Sequence, residues 1–337
     1  MQKAAVVILN YNGVHFLEKF LPSVTQYSVG HRIVVADNAS TDTSLAFLSE
    51  HYPQIEVIVL PENYGFAKGY DEALKHIDNQ YSILLNSDVE VTPHWIEPIV
   101  ELMENNQQIV ACQPKIRAYH RPDYFEHAGA AGGFVDTLGY PFCRGRILDQ
   151  VEKDEGQYDD IVPIFWATGA CFFVRTEIYR ALGGFDAIFH AHMEEIDLCW
   201  RIHAAGYQIY YHPGSVVYHV GGGTMHASNP RKTYLNFRNS TGVLFKNVPF
   251  SQVLWKVPMK IGLDLLAAGW FYVQGQRQNG EAVVRAVADF LWHLKEWRQR
   301  RRVVEVKGFF SQNIIMPRLL IVSRYVRGEK KFSQLRF

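Results

Sequence analysis

The chain has little cysteine: Cys112, Cys143, Cys171 and Cys199 are the only four in 337 residues. They are widely spread, with no CxxC pair and no histidine at zinc-finger spacing. That excludes a zinc ribbon or a disulfide scaffold and predicts buried free thiols in a reducing compartment. An excess of one charge is missing too. Lys+Arg and Asp+Glu each number 34, so no global field draws the chain to nucleic acid, and no nucleic-acid partner is expected. There is no internal repeat and no low-complexity segment. No GxGxxG follows the first strand-like run, where Asn10, Tyr11, Asn12 and Gly13 stand instead, which argues against a Rossmann-type oxidoreductase. Lys68 has no GxxxxGK[ST] around it and is not a P-loop lysine. No basic n-region or cleavage site precedes the run 4–9, so it does not read as a signal peptide, and a place in the cytosol or on its membrane face is expected.

What is present is an alternation. Residues 4–9 form a short apolar, β-rich run that ends in a polar loop, and residues 14–28 follow with helical spacing (Phe16, Leu17, Phe20, Leu21, Val24). Residues 32–36 give a second strand, closed by Asp37-Asn38-Ala39-Ser40-Thr41-Asp42, a run suited to capping a helix over 43–51. A strand over 55–60, a helix over 67–77 and a strand over 81–85 complete the pattern. This rhythm predicts an α/β fold with a mostly parallel central sheet flanked by helices. Ligands of such sheets bind outside the C-terminal strand ends, so Asn10, Asp37, Asn63 and Asp88 are expected along one edge. Residues 120–165 look irregular, a substrate-side loop region. Residues 165–175 read as a strand, and 208–211 and 216–219 as two short strands before the Gly221-Gly222-Gly223-Thr224 loop.

Three carboxylates crowd into Glu194, Glu195 and Asp197, just after Gly183-Gly184-Phe185-Asp186. Like charges one turn apart repel on a helix, and an active site uses such repulsion to raise a carboxylate's proton affinity and make it a better base. The plainer reading is an acid-rich first turn favoured by the helix dipole, with Asp197 and Arg201 as an i,i+4 pair. Asp88, in Asn86-Ser87-Asp88, is placed to hold a hard divalent cation at a strand end, although this tripeptide also makes a good turn. Asp37 likewise has a capping explanation.

As an ordered set these pieces are more specific. Residues 7–13, 34–42, 62–69 and 84–91, then Thr168-Gly169-Ala170-Cys171, Gly183–Asp186, Glu194–Arg201 and His219, resemble family 2 glycosyltransferases, nearest to the bacterial rhamnosyltransferase-like branch. The resemblance covers about 4–240. It implies a GT-A fold with a nucleotide-sugar half (1–115) and an acceptor half (116–240), followed by a helical, amphipathic and basic extension (241–337). It implies an inverting transfer from a nucleotide-diphosphate sugar (dTDP-rhamnose, or a UDP-sugar) to a hydroxyl of a glycan or lipid-linked acceptor, with a divalent cation, Mg2+ or Mn2+. By the same resemblance Glu195 is the base, standing where the family has Asp; Glu194 and Asp197 are then read as orienting or structural residues. Asn10, Tyr11, Asn12, Asp37, Asn63, Gly65, Gly69 and Asn86 flank the nucleotide sugar, and Asp88 and His219 approach the metal. The alternative is a non-catalytic nucleotide- or glycan-binding module on the same fold.

After about residue 230 the character changes. Residues 253–273 are apolar, but Lys256, Lys260 and Asp264 fall four apart on one helical face, so the segment is amphipathic. Those charges and Pro258 argue against a transmembrane helix. Trp255, Trp270 and the basic runs at 295–302 and 318–336 suit an interfacial helix at the inner face of the cell membrane; a helical cap on the main domain suits them equally.

Overall fold

The computed structural model describes residues 2–221, 229–301, 314–335 and 337. Its first half follows the sequence alternation: β1 (Ala4–Asn10), α1 (Val14–Tyr27), β2 (Arg32–Asp37), α2 (Ser44–His51), β3 (Glu56–Val59), α3 (Gly65–Leu74) and β4 (Tyr81–Asn86). On α1 the residues at helical spacing, Leu17, Phe20, Leu21 and Val24, are the buried ones. The four strands run parallel in the order β4-β1-β2-β3. Their register sets Asn10 opposite Asp37 and Leu9 opposite Asn86, so three polar strand ends share one edge.

The second half is β5 (Val89–Val91), α4 (Glu97–Asn105), β6 (Ile109–Ala118), β7 (Arg121–Phe125), β8 (Gly133–Asp136), β9 (Pro141–Cys143), β10 (Arg146–Ile147), β11 (Gln150–Val151) and β12 (Val162–Pro163). Then come β13 (Cys171–Arg175), α5 (Thr176–Ala181), α6 (Glu194–Ala204) and β14 (Gln208–His219). The main sheet has ten strands, ordered β12-β14-β6-β13-β4-β1-β2-β3, with β5 on β14 and β7 on β6. β13 lies antiparallel between β4 and β6 and joins the two halves into one sheet.

Two expectations are corrected here. Residues 120–165 are not an irregular loop region: they carry short strands whose pieces are too brief to show period-2 alternation. Gly132, Gly139 and Gly145, all at positive φ, make the turns between them. The two strands expected at 208–211 and 216–219 are one, with an irregularity between His212 and Val216. The expected loop residues Gly222, Gly223 and Thr224 lie outside the described residues.

The C-terminal part is helical: α7 (Pro230–Asn247), α8 (Phe250–Val273), α9 (Arg277–Trp292) and α10 (Leu294–Arg300), then β15 (Ile315–Met316). The boundary expected between 240 and 241 falls inside α7. The extension is also stitched to the rest: β15 adds a parallel strand to β8, in a second sheet ordered β11-β10-β9-β8-β15. Trp297 of α10 is fully buried against α7, where a Cβ on Gly242 would stand 2.4 Å from its ring.

On α8 the charged face is the one that packs inward. Lys260 and Asp264 are buried and paired at 3.2 Å. Asp264 also accepts from Tyr140 Oη (2.7 Å) and Thr241 Oγ1 (3.2 Å), and Lys260 Nζ stands 3.9 Å from the Tyr140 ring centre. Burial is the larger influence on Lys260 and lowers its pKa in spite of Asp264. Removing one partner of such a pair leaves the other charge buried. Lys260→Met is therefore expected to lower the unfolding free energy by about 3 kcal/mol in urea titration, and adding Asp264→Leu to recover part of that loss.

Candidate active site

The edge formed by β1, β2 and β4 is braced by its own polar side chains. Asn10, fully buried, donates from Nδ2 to Asp37 Oδ1 (3.0 Å) and Ser40 Oγ (3.2 Å). The other Asp37 oxygen accepts from the Ser40 N–H at 2.9 Å, so both of its oxygens are engaged in holding two loops together. Asn12 Oδ1 accepts from the Thr41 and Asp42 N–H groups. Asp42 Oδ1 accepts from the Ser44 N–H at the start of α2, while Thr43, at the cap position itself, makes no side-chain capping bond. Tyr11 is exposed between these anchored asparagines.

Asn63 reaches the same edge through Asn38, whose amide donates to Asn63 Oδ1 (3.0 Å) and Gly65 O (3.1 Å). Gly65 has φ +73, and a Cβ there would meet the His190 carbonyl at 3.5 Å, so this loop touches the segment leading to the acid cluster. Gly69 is needed for close approach: a Cβ would stand 3.0 Å from Leu9 and 3.2 Å from Asn38. The sequence motifs contained Asn38 and Ser40 but gave no reason to single them out.

Just beyond Asn86, Asp88 lies beside His219 at the end of β14, with Oδ1 and Nε2 3.2 Å apart and both residues buried. On the other side of the ring, Nδ1 faces Glu126 Oε2 at 3.6 Å without a hydrogen bond. Burial alone would disfavour a charged His219, but Asp88 and Glu126 outweigh it and raise its pKa to about 10. Among the described residues no three His, Cys, Asp or Glu side chains gather into a ready cation cage. One carboxylate and one imidazole side by side do suit a divalent cation that takes its remaining ligands from a diphosphate and water, the imidazole giving up its Nε2 proton on binding while Glu126 faces its other nitrogen. Glu126 had no sequence signal: it stands in a stretch without periodicity or motif.

The acid cluster opens α6, and its three carboxylates have different surroundings. Asp197 is held by two cations and an amide: Arg201 Nε (2.9 Å), Lys246 Nζ (2.8 Å) and the neutral Asn247 Nδ2 (2.8 Å) all donate to it. Burial would raise its pKa, but Arg201 and Lys246 prevail and hold it below the usual carboxylate range. Glu194 and Glu195 each keep one buried oxygen with no hydrogen-bond partner. Burial first, then the neighbouring Glu195, pushes Glu194 well above its ordinary value. Burial brings Glu195 to about 7 against the pull of backbone N–H groups in the first turn. Desolvation, more than the like-charge crowding suggested by the sequence, is what makes Glu195 basic.

The chain approaches α6 through a bent path. His190, His192 and Met193 all have positive φ, a conformation costing about 1 kcal/mol or more for each such residue. α7 holds this path in place. Asn239, fully buried, aims Nδ2 at the carbonyls of Phe189 (2.9 Å), Ala191 (3.0 Å) and His192 (2.9 Å). Arg238 donates to Ile188 O, and Lys246 spans from Asp197 to Asp186 (2.6 Å). Asp71 closes the other side, accepting from Phe185 N and the Tyr179 hydroxyl.

The model of Glycosyl transferase family 2 matches residues 5–183. The chain belongs to that family. The glycosyltransferase has the α/β GT-A fold, and it is similar to the bacterial rhamnosyltransferase-like branch. The N-acetylglucosaminyl-diphospho-decaprenol L-rhamnosyltransferase of Mycobacterium tuberculosis is 26% identical over 235 residues, covering 64% of this chain and 75% of that protein. Rhamnosyltransferase WbbL of Escherichia coli is 23% identical over 218 residues, covering 62% and 80%. Among solved structures, GalNAc-T7 with UDP, GalNAc and Mn2+ superposes with a TM-score of 0.57 at 18% identity, over 73% of this chain and 48% of that one. The mannosyltransferase PcManGT from Pyrobaculum calidifontis, in complex with GDP-Man and Mn2+, gives 0.53 at 15%, over 86% and 87%. The acids of α6 and His219 lie beyond the matched residues, so their reading rests on the geometry above.

Asn239 is the side chain that most directly fixes the path into α6. Asn239→Ala removes its bonds to three buried carbonyls and is expected to lower stability by about 2 kcal/mol. It should also lower kcat while leaving nucleotide affinity near the parent value, which single-turnover kinetics and nucleotide titration would measure.

Proposed function

We propose that this glycosyltransferase moves a sugar, rhamnose, from a dTDP donor to a hydroxyl of a lipid-linked or cell-surface glycan at the cytosolic face of the cell membrane. A UDP-linked hexose is the alternative donor. In this reading residues 1–115 serve the donor and 116–240 the acceptor, with 241–337 contacting the membrane. The relatives named above support it, since one is described as acting on a diphospho-decaprenol acceptor. Among the described residues no helix is long and apolar enough to cross a membrane.

Glu195 carries the reading. It is a carboxylate with one buried oxygen unpaired and a pKa of about 7, at the start of a helix whose approach is clamped. As the acceptor oxygen forms its bond to the anomeric carbon, the bond from that carbon to the nucleotide diphosphate breaks and Glu195 takes the hydroxyl proton. Attack from the face opposite the leaving group inverts the centre. Glu194 is its buried neighbour with a raised pKa, and Asp197 anchors the helix through Arg201, Lys246 and Asn247. Asp88 and His219 would hold a divalent cation, Mg2+ or Mn2+, which when bound neutralises charge on the departing diphosphate. Asn10, Asn12, Asp37 and Asn63 shape the edge for the nucleoside; Tyr11, Gly65, Gly69 and Asn86 border it.

The pH dependence follows from the sign of the shift. A base must be deprotonated, so kcat/KM should fall as pH drops through about 7, with the acid limb set by Glu195. Glu195→Gln should lose about a hundredfold or more above pH 7, and the gap should narrow as pH falls below it, while nucleotide binding persists. Glu195→Asp, the residue usual in the family, should retain measurable transfer. Parent-like transfer by Glu195→Gln would remove Glu195 from the role.

Thermal stabilisation by dTDP, UDP, GDP and CMP, each with and without Mn2+ or Mg2+, tests the donor site. Ligand at about 100 times Kd adds roughly 2.7 kcal/mol to a native state that alone binds it. A metal-dependent shift by dTDP, lost in Asp88→Ala, supports the proposed donor. A preference for UDP would change the sugar, and no shift with any nucleotide would overturn the reading.

A further inference from the structure

The arrangement of α8 poses a physical problem for a helix in water. Its Lys260 and Asp264 face inward, while Leu254, Trp255, Met259, Leu266, Trp270 and Val273 face outward. Leu266 is 71% exposed, Trp270 62% and Val273 78%. The helix has three charged residues in all, and none stands on the exposed face: two are buried and Lys256 is half-buried. At 1.5 Å per residue its 24 residues form a stripe about 36 Å long. A helix with its ions inside and a continuous apolar stripe outside matches an apolar medium on that side.

We infer that the outer face of α8 is a lipid-docking surface and that the helix lies in the plane of an anionic bilayer, seated among headgroups and upper acyl chains. This deepens the membrane part of the proposed function and rests on it. Charge complementarity favours lipid over a second copy of the chain. Lys256 Nζ stands 5.5 Å from the Trp255 ring centre, and the Arg301 guanidinium 6.0 Å from that of Phe250 at the N-terminal end, so cations border the stripe. No carboxylate shares its exposed positions. Trp255 and Trp270 lie near opposite ends of the helix, and indoles prefer the depth where an apolar ring meets polar headgroups. A second apolar step lies close by. Asp136, near Lys256 and Lys260, accepts from the Leu320 N–H, at the base of a short helix exposing Tyr325 and Val326.

The full chain, without donor or acceptor, would be floated with vesicles of equal parts phosphatidylcholine and phosphatidylglycerol. Transfer to a water-soluble acceptor analogue would be measured separately, so a failure of catalysis and a failure of docking are told apart. The parent chain should float, less so at high salt. Trp255→Glu and Leu266→Glu should each reduce the bound fraction about tenfold or more, with transfer to the soluble analogue preserved. Brominated acyl chains give a readout that needs no disruptive change. They should quench parent tryptophan emission, and Trp255→Phe with Trp270→Phe should remove most of that quenching. Absence of flotation, flotation unchanged by the Glu variants, or absence of quenching overturns the inference. So does a parent dimer in light scattering that the Glu variants dissociate, since α8 would then meet a second copy.

Discussion

Lys246 is the interaction on which the active-site half depends. One ammonium, itself buried, bridges Asp186 and Asp197, which flank the turn entering α6. Charges this deep are stable only together, because removing one leaves its partners desolvated and unpaired. Arg201 and Asn247 complete the Asp197 side, and Arg300 pairs with Asp186 from α10. Lys246 and Arg300 come from helices at the C-terminal end, while Arg201 and the carboxylates belong to the segment carrying the proposed base. The helical extension is thus part of the device that sets the position of Glu195.

The same network explains why three neighbouring acids behave differently. Asp197 has its charge matched and is held ionised. Glu194 and Glu195, three and two residues earlier, each have a buried oxygen but none of the cations. Environments that push carboxylate pKa values apart are how one site keeps an anchor and a base side by side. The arrangement costs stability. With a folded value near 7 against about 4.5 unfolded, Glu195 binds its proton more tightly in the native state, so that contribution to stability is present below the unfolded value and is lost as pH rises through about 7. The positive-φ residues His190, His192 and Met193 add to the cost, and the bonds from α7 keep the path from relaxing.

The sequence made the N-terminal half legible because its strands are long enough to show their pattern and its loops carry motifs at the strand ends. Asn10 opposite Asp37 follows directly from parallel register. The Asp197–Arg201 pair was visible as i,i+4 spacing. Glu126 and Asn239 were not visible, for different reasons. Glu126 reaches His219 through a fold of short strands whose two- to five-residue pieces leave no periodic trace. Asn239 sits on a helix whose apolar spacing says that it packs but not on what. The sequence also identified the charged face of α8 without saying which way it points. Spacing defines a face; only tertiary partners, here Tyr140 and Thr241, decide whether it meets water or protein.

That orientation connects α8 to the acid cluster through α7. Thr241 and Lys246 lie on the same helix, α7, one bonded to the inward face of α8 and the other to the anchors of α6. Asn239 stands between the inner face of α8 and the loop before Glu195 in sequence, and it is bonded to that loop. The path from α8 to the proposed base therefore runs through α7 and buried side-chain bonds. In the proposed membrane-docked arrangement, the contact of α8 with the bilayer would set the height of Glu195, the proposed base, above that plane.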